Sequence, residues 1–329
     1  NRVEGSAVGV AATVHPTPRL SCNAGTCYGF SDHQWKPHGA ATYTTSYGAS
    51  VTASAYRTLH DVSIVPERSG LINSFAAQEY GSDFTGLFSA RGGALTLAAP
   101  SGMAIRPTVE LALEDQGMVQ VNAVPASGRY EPAEPATPLR EARATLHLDA
   151  PRFDLFGMSA TAALSLSAVH DREQSGGQAV SERGRGLATL AATRGMGGGQ
   201  LALSFLAAGL TNSSRTPPQE LIGLGGPITA PGYDFHSLVG ARAATAHVEW
   251  RFKVPFLPIP LGSWGRAPAT ATIAPFVHTA WVDGRGWYPS IGTGALTVFD
   301  LLRFDVARGT RDGRWSFYFD VSRDFWGIL

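Results

Sequence analysis

The chain has 329 residues and a formal net charge of zero, with 16% charged residues and 38 glycines. Soluble globular chains carry about 25% charged residues, so this composition favours one large β-barrel. The balanced charge gives no excess of basic residues of the kind that a nucleic-acid-binding protein shows. No run of about 18 apolar residues predicts a spanning helix, so a membrane protein of this sequence would cross with strands.

The beginning of the chain predicts a weak strand. Residues 3–14 alternate little and contain Gly5 and Gly9, and glycine weakens a strand through entropy and lost packing. The chain begins at Asn1 rather than Met, so we expect a mature or trimmed form.

Two cysteines follow this strand. Cys22 and Cys27 have four residues between them, in a stretch rich in Ser, Gly and Asn that we interpret as a loop. One interpretation is a small loop disulfide formed in an oxidising compartment; the other is two unrelated thiols. No second Cys or His pair has matching spacing, so no metal site is expected.

Alternation with a period of two residues is the dominant signal along the chain. One face of each run is apolar and the other is charged or hydroxylic. The runs are roughly 10–14 residues long, against ~5–6 in soluble strands, and this length crosses a bilayer at a tilt. The clearest runs are residues 105–114, 141–149, 158–168, 244–254 and 315–322.

The connections between these runs alternate between short turns and long loops, as in outer-membrane barrels. Within the first long loop, residues 69–80 predict a short helix. The alternation yields about fifteen strands. Because single-chain bacterial barrels have an even number, we predict sixteen, with residues 118–124 or a strand before Asn1 as the additional one and both ends periplasmic. The predicted long loops are residues 61–83, 115–139, 171–179, 212–239 and 283–289.

The predicted fold is therefore an all-β, transmembrane, antiparallel up-and-down β-barrel of about 16 strands, forming one domain over residues 1–329. A soluble β protein is the alternative, because a sandwich alternates too, although in shorter strands. Residues 224–235 are rich in Gly and Pro, and we predict that this loop folds into the barrel. No nucleophile elbow, zinc-protease motif or phosphate-binding loop is present, so we expect neither an enzyme nor a cofactor.

An ordered series of motifs occupies residues 224–324. Together they resemble the C-terminal barrel of the BamA/TamA family, also called the bacterial surface antigen family. The resemblance implies a barrel of the bacterial outer membrane that assists insertion or translocation of proteins, or of lipids. The family's periplasmic POTRA repeats are absent from this chain. The motifs are Gly225-Gly226-Pro227 with Gly232-Tyr233, Glu249-Trp250-Arg251-Phe252, Pro275-Phe276-Val277-His278, Leu302-Arg303-Phe304-Asp305-Val306-Ala307, and an aromatic ending at residues 314–325.

The sequence departs from the family at one interaction. The family's loop arginine is held in the lumen by a strand glutamate and a strand aspartate; here Pro231 and His278 replace the arginine and the aspartate, while Glu249 remains. An unpaired buried acid costs several kcal/mol, so we predict that Glu249 pairs with Arg251 or His278. The alternative is that Glu249, Arg251 and His278 are ordinary polar residues of the lumen.

The loop itself is predicted to be held by aromatic packing of Tyr233 and Phe235 and by backbone hydrogen bonds, with Pro231 away from solvent. Its predicted contact residues are Gly225, Gly226, Pro231, Gly232, Tyr233 and Phe235.

The closing seam is the second candidate site. The last predicted strand, residues 314–325, is strongly aromatic, and its partner would be the weak first strand that contains Gly5 and Gly9. The family is thought to use such a seam as a lateral gate that passes client strands by edge pairing; the alternative is frayed end strands. The aromatic seam residues are Phe317, Phe319 and Phe325.

The resemblance also implies partners. These are outer-membrane lipid and lipopolysaccharide, client proteins, and either a periplasmic partner or a domain that precedes Asn1. Two other functions remain open at this point. The barrel could anchor a larger protein with an N-terminal enzyme domain and serve as its exit pore, or it could be a channel or structural subunit of an envelope complex.

Overall fold

A computed structural model describes residues 1–174, 180–211 and 216–326. Its main feature is one antiparallel sheet of fifteen strands, in which each strand pairs with its neighbours in chain order. A separate two-stranded hairpin, β11 and β12, lies between β10 and β13. The strands are β1 Ala7–Thr17, β2 Leu20–Gly29, β3 Gln34–Thr44, β4 Ser50–Asp61, β5 Leu87–Ala98, β6 Arg106–Gly117, β7 Leu139–Leu155, β8 Met158–Glu173, β9 Val180–Met196, β10 Gly199–Leu210, β11 Ile222–Leu224, β12 Leu238–Gly240, β13 Arg242–Pro255, β14 Thr270–Val282, β15 Gly286–Thr297, β16 Leu302–Gly309 and β17 Trp315–Val321.

The two faces of the sheet differ as the alternation predicts. In β6, Leu111 and Leu113 are 49% and 66% exposed, whereas Glu114 and Gln116 are buried. Successive side chains of a strand point to opposite faces, so the apolar side chains lie on the outside and the polar ones on the inside. This is the pattern of a membrane barrel with a polar lumen, and it confirms the predicted fold class, a transmembrane antiparallel β-barrel.

One α-helix, α1, spans Gly70–Tyr80 in the connection between β4 and β5, as predicted. Ser69 is its N-cap, because the Ser69 hydroxyl accepts a hydrogen bond from the Ile72 backbone amide. Gly81 ends the helix in the left-handed conformation. Among the described residues, no helix has the length and apolar character needed to cross a membrane. Short 3-10 helices occur at Pro218–Glu220, Gly262–Trp264 and Arg323–Phe325.

The predicted strand count is wrong by one for the described part of the chain. Fifteen strands form the sheet, and residues 118–124 have no strand conformation. Because the count is odd, β1 begins at the end of the barrel with the long connections and β17 finishes at the end with the short turns. The predicted long loop at residues 283–289 is a tight turn, since β15 begins at Gly286. Part of the predicted loops 171–179 and 212–239 lies outside the described residues.

The proposed disulfide is also wrong. Cys22 and Cys27 are free and lie within β2 rather than in a loop. Five residues of extended strand span about 16 Å, whereas bridged cysteines have Cα atoms within about 7 Å. Their odd separation also places the two side chains on opposite faces of the sheet. The stretch lacks apolar alternation, so its sequence predicts a loop although the residues form a strand.

The largest buried apolar cluster lies inside the barrel, near the long-connection end. It is built around the β11–β12 hairpin and the inward-facing alanines of β13 and β14. A barrel of this size has a lumen to fill, and here the connection between β10 and β13 fills part of it. The cluster consists of Leu210, Ile222, Leu224, Ala230, Tyr233, Leu238, Ala243, Ala280 and Val282.

Candidate functional site

Residues 224–235, called here the inward loop, form a compact turn between β11 and β12. Gly225, Gly226 and Gly232 have φ angles of 129°, 105° and 91°, a region that favours glycine. The Tyr233 carbonyl accepts a hydrogen bond from the Gly226 amide at 3.0 Å. The Thr229 hydroxyl accepts another from the Gly225 amide at 2.9 Å. Part of the backbone hydrogen-bonding capacity of the loop is therefore satisfied within the loop itself, independently of its contacts with the barrel wall.

Glu67, from the connection between β4 and α1, holds the tip of the inward loop. Its carboxylate accepts hydrogen bonds from the backbone amides of Ile228 at 2.7 Å and Thr229 at 3.2 Å, and from the Thr229 hydroxyl. The Glu67 side chain is buried. Burial raises its pKa to about 7, although the hydrogen bonds from Thr229 and Ile228 act in the opposite direction.

His278 of β14 contacts the same tip from the opposite wall. Its Nε2 donates to the Thr229 carbonyl oxygen at 2.9 Å, since a carbonyl can only accept. His278 is 1% exposed. The predicted alternative pairing of His278 with Glu249 is wrong. The imidazole binds the inward loop through Nε2, and its Nδ1 lies 3.4 Å from Nδ1 of His247.

Aromatic packing holds the second half of the inward loop, as predicted. The Tyr233 ring contacts Tyr288 edge-on with centroids 5.4 Å apart, and its hydroxyl donates to the Pro289 carbonyl at 2.8 Å. Phe235 packs on Phe84 with centroids 5.3 Å apart. Pro231 is fully buried, so the position that carries arginine in the resembled family points away from solvent here.

Gly232 makes the closest approach between the loop and the barrel wall. Its amide donates to the Tyr318 hydroxyl of β17 at 3.2 Å. A Cβ atom at this position would overlap the backbone nitrogen of Gly309. The wall and the loop are therefore in direct backbone contact, which only glycine permits.

Beneath the loop lies a cluster of charged side chains, the lumenal charge cluster, centred on Glu249 of β13. Glu249 is 1% exposed. Arg251 Nε binds one carboxylate oxygen, as predicted, and Arg303 Nη2 binds the other at 2.5 Å. His247 Nε2 lies 3.5 Å from the same carboxylate, and Arg303 also pairs with Asp305 at 2.8 Å. Two arginines of the barrel wall, Arg251 on the same strand as Glu249 and Arg303 on β16, are thus the partners of Glu249.

The segment leading into the inward loop is anchored as well. Gln219 and Glu220, both buried, lie on the 3-10 helix before β11. The Gln219 amide donates to Gln116 at 3.1 Å, and Arg185 Nη1 donates to Glu220 at 3.1 Å. Arg183 lies 3.8 Å from Glu220. The inward loop is therefore fixed at its entrance as well as at its tip.

A cavity of about 750 Å³ adjoins the inward loop and the lumenal charge cluster. It reaches from Thr229 to Asp324 and Trp326, beyond the last strand. Its size is within the range of small-molecule sites. Its polar lining consists largely of groups already engaged in ion pairs, including Glu249, Arg251 and Arg303.

The two end strands form no ladder with each other among the described residues. All eleven residues of β1 are exposed, including Gly9, while Phe317 and Phe319 of β17 are 75% and 40% exposed. Two predicted seam residues lie outside the strands. Gly5 precedes β1 in a turn with φ 62°, and Phe325 is in a 3-10 helix, because β17 ends at Val321.

Helix α1 connects the regions of these two strands. Asp320 of β17 accepts hydrogen bonds from the Ser69 backbone amide at 2.8 Å and from the Ser69 hydroxyl. At the other end of the helix, the Gln78 side chain donates to the Ser6 hydroxyl at 3.2 Å, just before β1. The helix is about 16 Å long and therefore lies between the unpaired ends of the sheet.

Sequence reasoning missed several residues of this site. Glu67, Gln219, Glu220 and Tyr318 lie in loops or alternate like ordinary lumen residues, and no local pattern marks them. Arg303 stands out in the sequence only as part of the motif at residues 302–307. Its inward position, two residues before Asp305 on the same face of β16, is the signal that could have identified it.

Comparison with models of protein families finds no match, and comparison with curated proteins finds none. Among solved structures, BamA from Haemophilus ducreyi lacking POTRA domains 1–3 matches with a TM-score of 0.60 and 12% identity, over 95% of this chain and 68% of that chain. CdiB from Acinetobacter baumannii matches with a TM-score of 0.49 and 14% identity, over 96% of this chain and 56% of that chain. This chain is therefore similar in fold to the outer-membrane barrel of BamA, as its motifs predicted.

Proposed function

We propose that this chain is a barrel of the bacterial outer membrane that assists the insertion or translocation of proteins, and that its role is not enzymatic. The observation that carries the proposal is the pair of unpaired strand edges, β1 and β17, in a barrel with the fold of BamA. An exposed strand edge presents unpaired backbone groups that another strand can pair with. In this proposal, client strands pair at that edge.

The inward loop supports an assembly role over that of an open pore. It lies inside the barrel, where it is fixed by Glu67, His278 and Tyr318. Single-channel recordings distinguish the two functions. Large steady currents through the purified barrel would favour a channel, whereas the proposed function predicts small or intermittent ones.

The direct test is the insertion of a client. Vesicles that contain the barrel are mixed with an unfolded eight-stranded outer-membrane barrel, and its folding rate is followed by the mobility shift of folded barrels on gels. A variant without native cysteines receives one cysteine at Gly9 and one at Phe317, joined by a reducible crosslinker. We expect faster client folding with the barrel than with empty vesicles, loss of this gain on crosslinking, and its recovery on reduction. Equal rates for crosslinked and reduced barrels would contradict the proposal.

A further inference from the structure

Five outward-facing residues at the long-connection end form a continuous row across five neighbouring strands. The ladders pair Arg57 of β4 with Arg91 of β5, Arg91 with Asp115 of β6, Asp115 with Arg140 of β7, and Arg140 with Arg172 of β8. Adjacent strands lie about 4.8 Å apart. We call these five residues the arginine row.

The outward direction follows from the neighbours of the row along each strand. Ala90, Glu141 and Asp171, which alternate with row members, are buried on the inside. Towards the middle of the barrel, the next two rows on the outer face are mostly apolar. The row therefore borders a lipid-facing surface, and that surface includes Leu95, Leu97, Val109, Leu111, Leu113 and Leu166, each at least 38% exposed.

The arginine row has a net positive charge. Four guanidinium groups accompany one carboxylate, which leaves three net positive charges (4 − 1). Asp115 pairs with Arg91 at 3.2 Å and with Arg140 at 2.8 Å. Arg57 faces Arg91 directly and donates to the neutral Gln34 amide oxygen at 2.6 Å. Like charges directly opposite each other in a sheet are destabilising, so an anion that binds between them relieves a cost present in the free protein.

A cavity of about 560 Å³ adjoins the row at the same rim of the barrel. Arg57, Arg91 and Asp115 line it together with the amide side chains of Gln34, Gln120 and Gln174. Asp32 lines it as well, and its carboxylate is paired with Lys36 at 2.5 Å. Guanidinium groups bind phosphate in a bidentate manner, and amides both donate to and accept from hydroxyl groups. Phosphate and sugar chemistry therefore meet at the edge of an apolar surface.

From this arrangement we infer that the arginine row and its cavity bind the headgroup of a phosphorylated glycolipid. The phosphates contact the arginines, the sugar hydroxyls contact the amides, and the acyl chains lie along the apolar outer face. The long connections of outer-membrane barrels face the cell exterior, so this lipid belongs to the outer leaflet. The inference concerns a lipid site and does not depend on the proposed role in protein insertion.

The test titrates the detergent-purified barrel with diphosphorylated lipid A and measures the bound fraction by native mass spectrometry. The main variant is R57Q/R91Q/R140Q/R172Q. A second variant, R57Q/R172Q, leaves both partners of Asp115 in place and keeps the test valid if the first does not fold. The control, R194Q, removes an exposed, outward-facing arginine beside the tight turn at the opposite rim. The mobility of the folded barrel on gels establishes the folding of each variant.

We expect the quadruple variant to bind at least about tenfold more weakly than the parent, since charge-assisted hydrogen bonds are lost. The double variant should show a smaller loss, the control should match the parent, and added salt should weaken parent binding. Lipid A without phosphates and phosphatidylglycerol should both bind more weakly. Equal binding of either lipid, or an unchanged affinity of the folded row variants, would overturn the inference. Inorganic pyrophosphate that binds as tightly as the lipid would identify a free-phosphate site and overturn the lipid assignment.

Discussion

The contact between Glu67 and the inward loop should make the free energy of docking the loop depend on pH. Glu67 accepts two backbone amides and one hydroxyl of the loop while it is buried. Its pKa rises from an ordinary 4.5 to about 7 in the docked loop. A released loop would leave Glu67 in water with its ordinary pKa. Docking is therefore linked to proton binding.

The direction of the pH dependence follows from which state of the loop, docked or released, binds the Glu67 proton more tightly. Between pH 4.5 and 7 the docked state binds more protons than the released state, so docking weakens as pH rises through this window. The full difference corresponds to about 3 kcal/mol, because a tenfold change in proton affinity is worth about 1.36 kcal/mol. Below pH 4.5 the contribution is fully present, and above pH 7 it has been lost.

Hydrogen exchange of the Ile228 and Thr229 amides measures the opening of this contact. After correction for the intrinsic pH dependence of exchange, the opening free energy should fall by roughly 2–3 kcal/mol from pH 5 to pH 8. A Glu67→Gln variant cannot ionise and should show no such fall. Glu67→Ala should open more readily at both pH values, because it leaves buried donors unsatisfied at about 1–3 kcal/mol each.

Other charged groups face Glu67 and need a control. His236, Arg323 and Tyr318 interact with it electrostatically, whereas the prediction assigns the proton to the Glu67 carboxyl alone. A His236→Asn variant should therefore keep most of the pH dependence. The reasoning is refuted if wild-type opening is the same at pH 5 and pH 8, or if Glu67→Gln retains the dependence of the wild type.

Three further predictions concern the lumenal charge cluster, the inward loop and α1. Glu249→Ala should lower the unfolding free energy in urea by about 1.5–3 kcal/mol, because it removes the buried carboxylate that Arg251 and Arg303 share, while each arginine keeps a second acidic partner. The exposed partner Asp324→Asn should cost under about 1 kcal/mol, and equal losses would contradict the assignment. Gly232→Ala should increase protease cleavage of the inward loop, whereas Gly262→Ala, at another positive φ but in open space, should leave that cleavage unchanged. Ser69→Ala should destabilise α1 by about 1–2 kcal/mol in hydrogen exchange, since the N-cap is lost, and unchanged exchange would show that the cap is not used.

The features that could be predicted from the sequence are local ones. Alternation fixes which face of a strand is apolar regardless of the partner strand, so the outer surface of β6 and β13 followed from the residues alone. The N-cap Ser69 and Gly81 directly flank the 11 residues of α1, and the Gly and Pro content of the inward loop excludes regular structure. Each of these signals depends on neighbours in the chain.

The features that could not be predicted are pairings across the lumen. Glu67 meets Thr229 from a loop 162 residues away, and Arg303 meets Glu249 from a strand 54 residues away. Nothing in either local sequence specifies the partner. The predicted sixteenth strand rests on the general rule that bacterial barrels have an even number of strands, and not on any pattern in the residues. Polar residues of β2 interrupt the apolar alternation, so the sequence predicts a loop at Cys22 and Cys27 where the structure has a strand.

Helix α1 is held by polar contacts at its two ends and by the buried Asn73 between them, which donates to Asp83 and accepts from the Phe84 amide. Asp320 binds its N-terminus, where the helix dipole favours a negative charge, and Ser6 binds near its C-terminus. Its large side chains Leu71 and Phe75 are 56% and 58% exposed, so moving the helix uncovers little new apolar surface. Detachment of α1 would therefore break polar contacts rather than uncover apolar surface, and a free helix of 11 residues would lose its own hydrogen bonds, because isolated helices of this length are marginal in water.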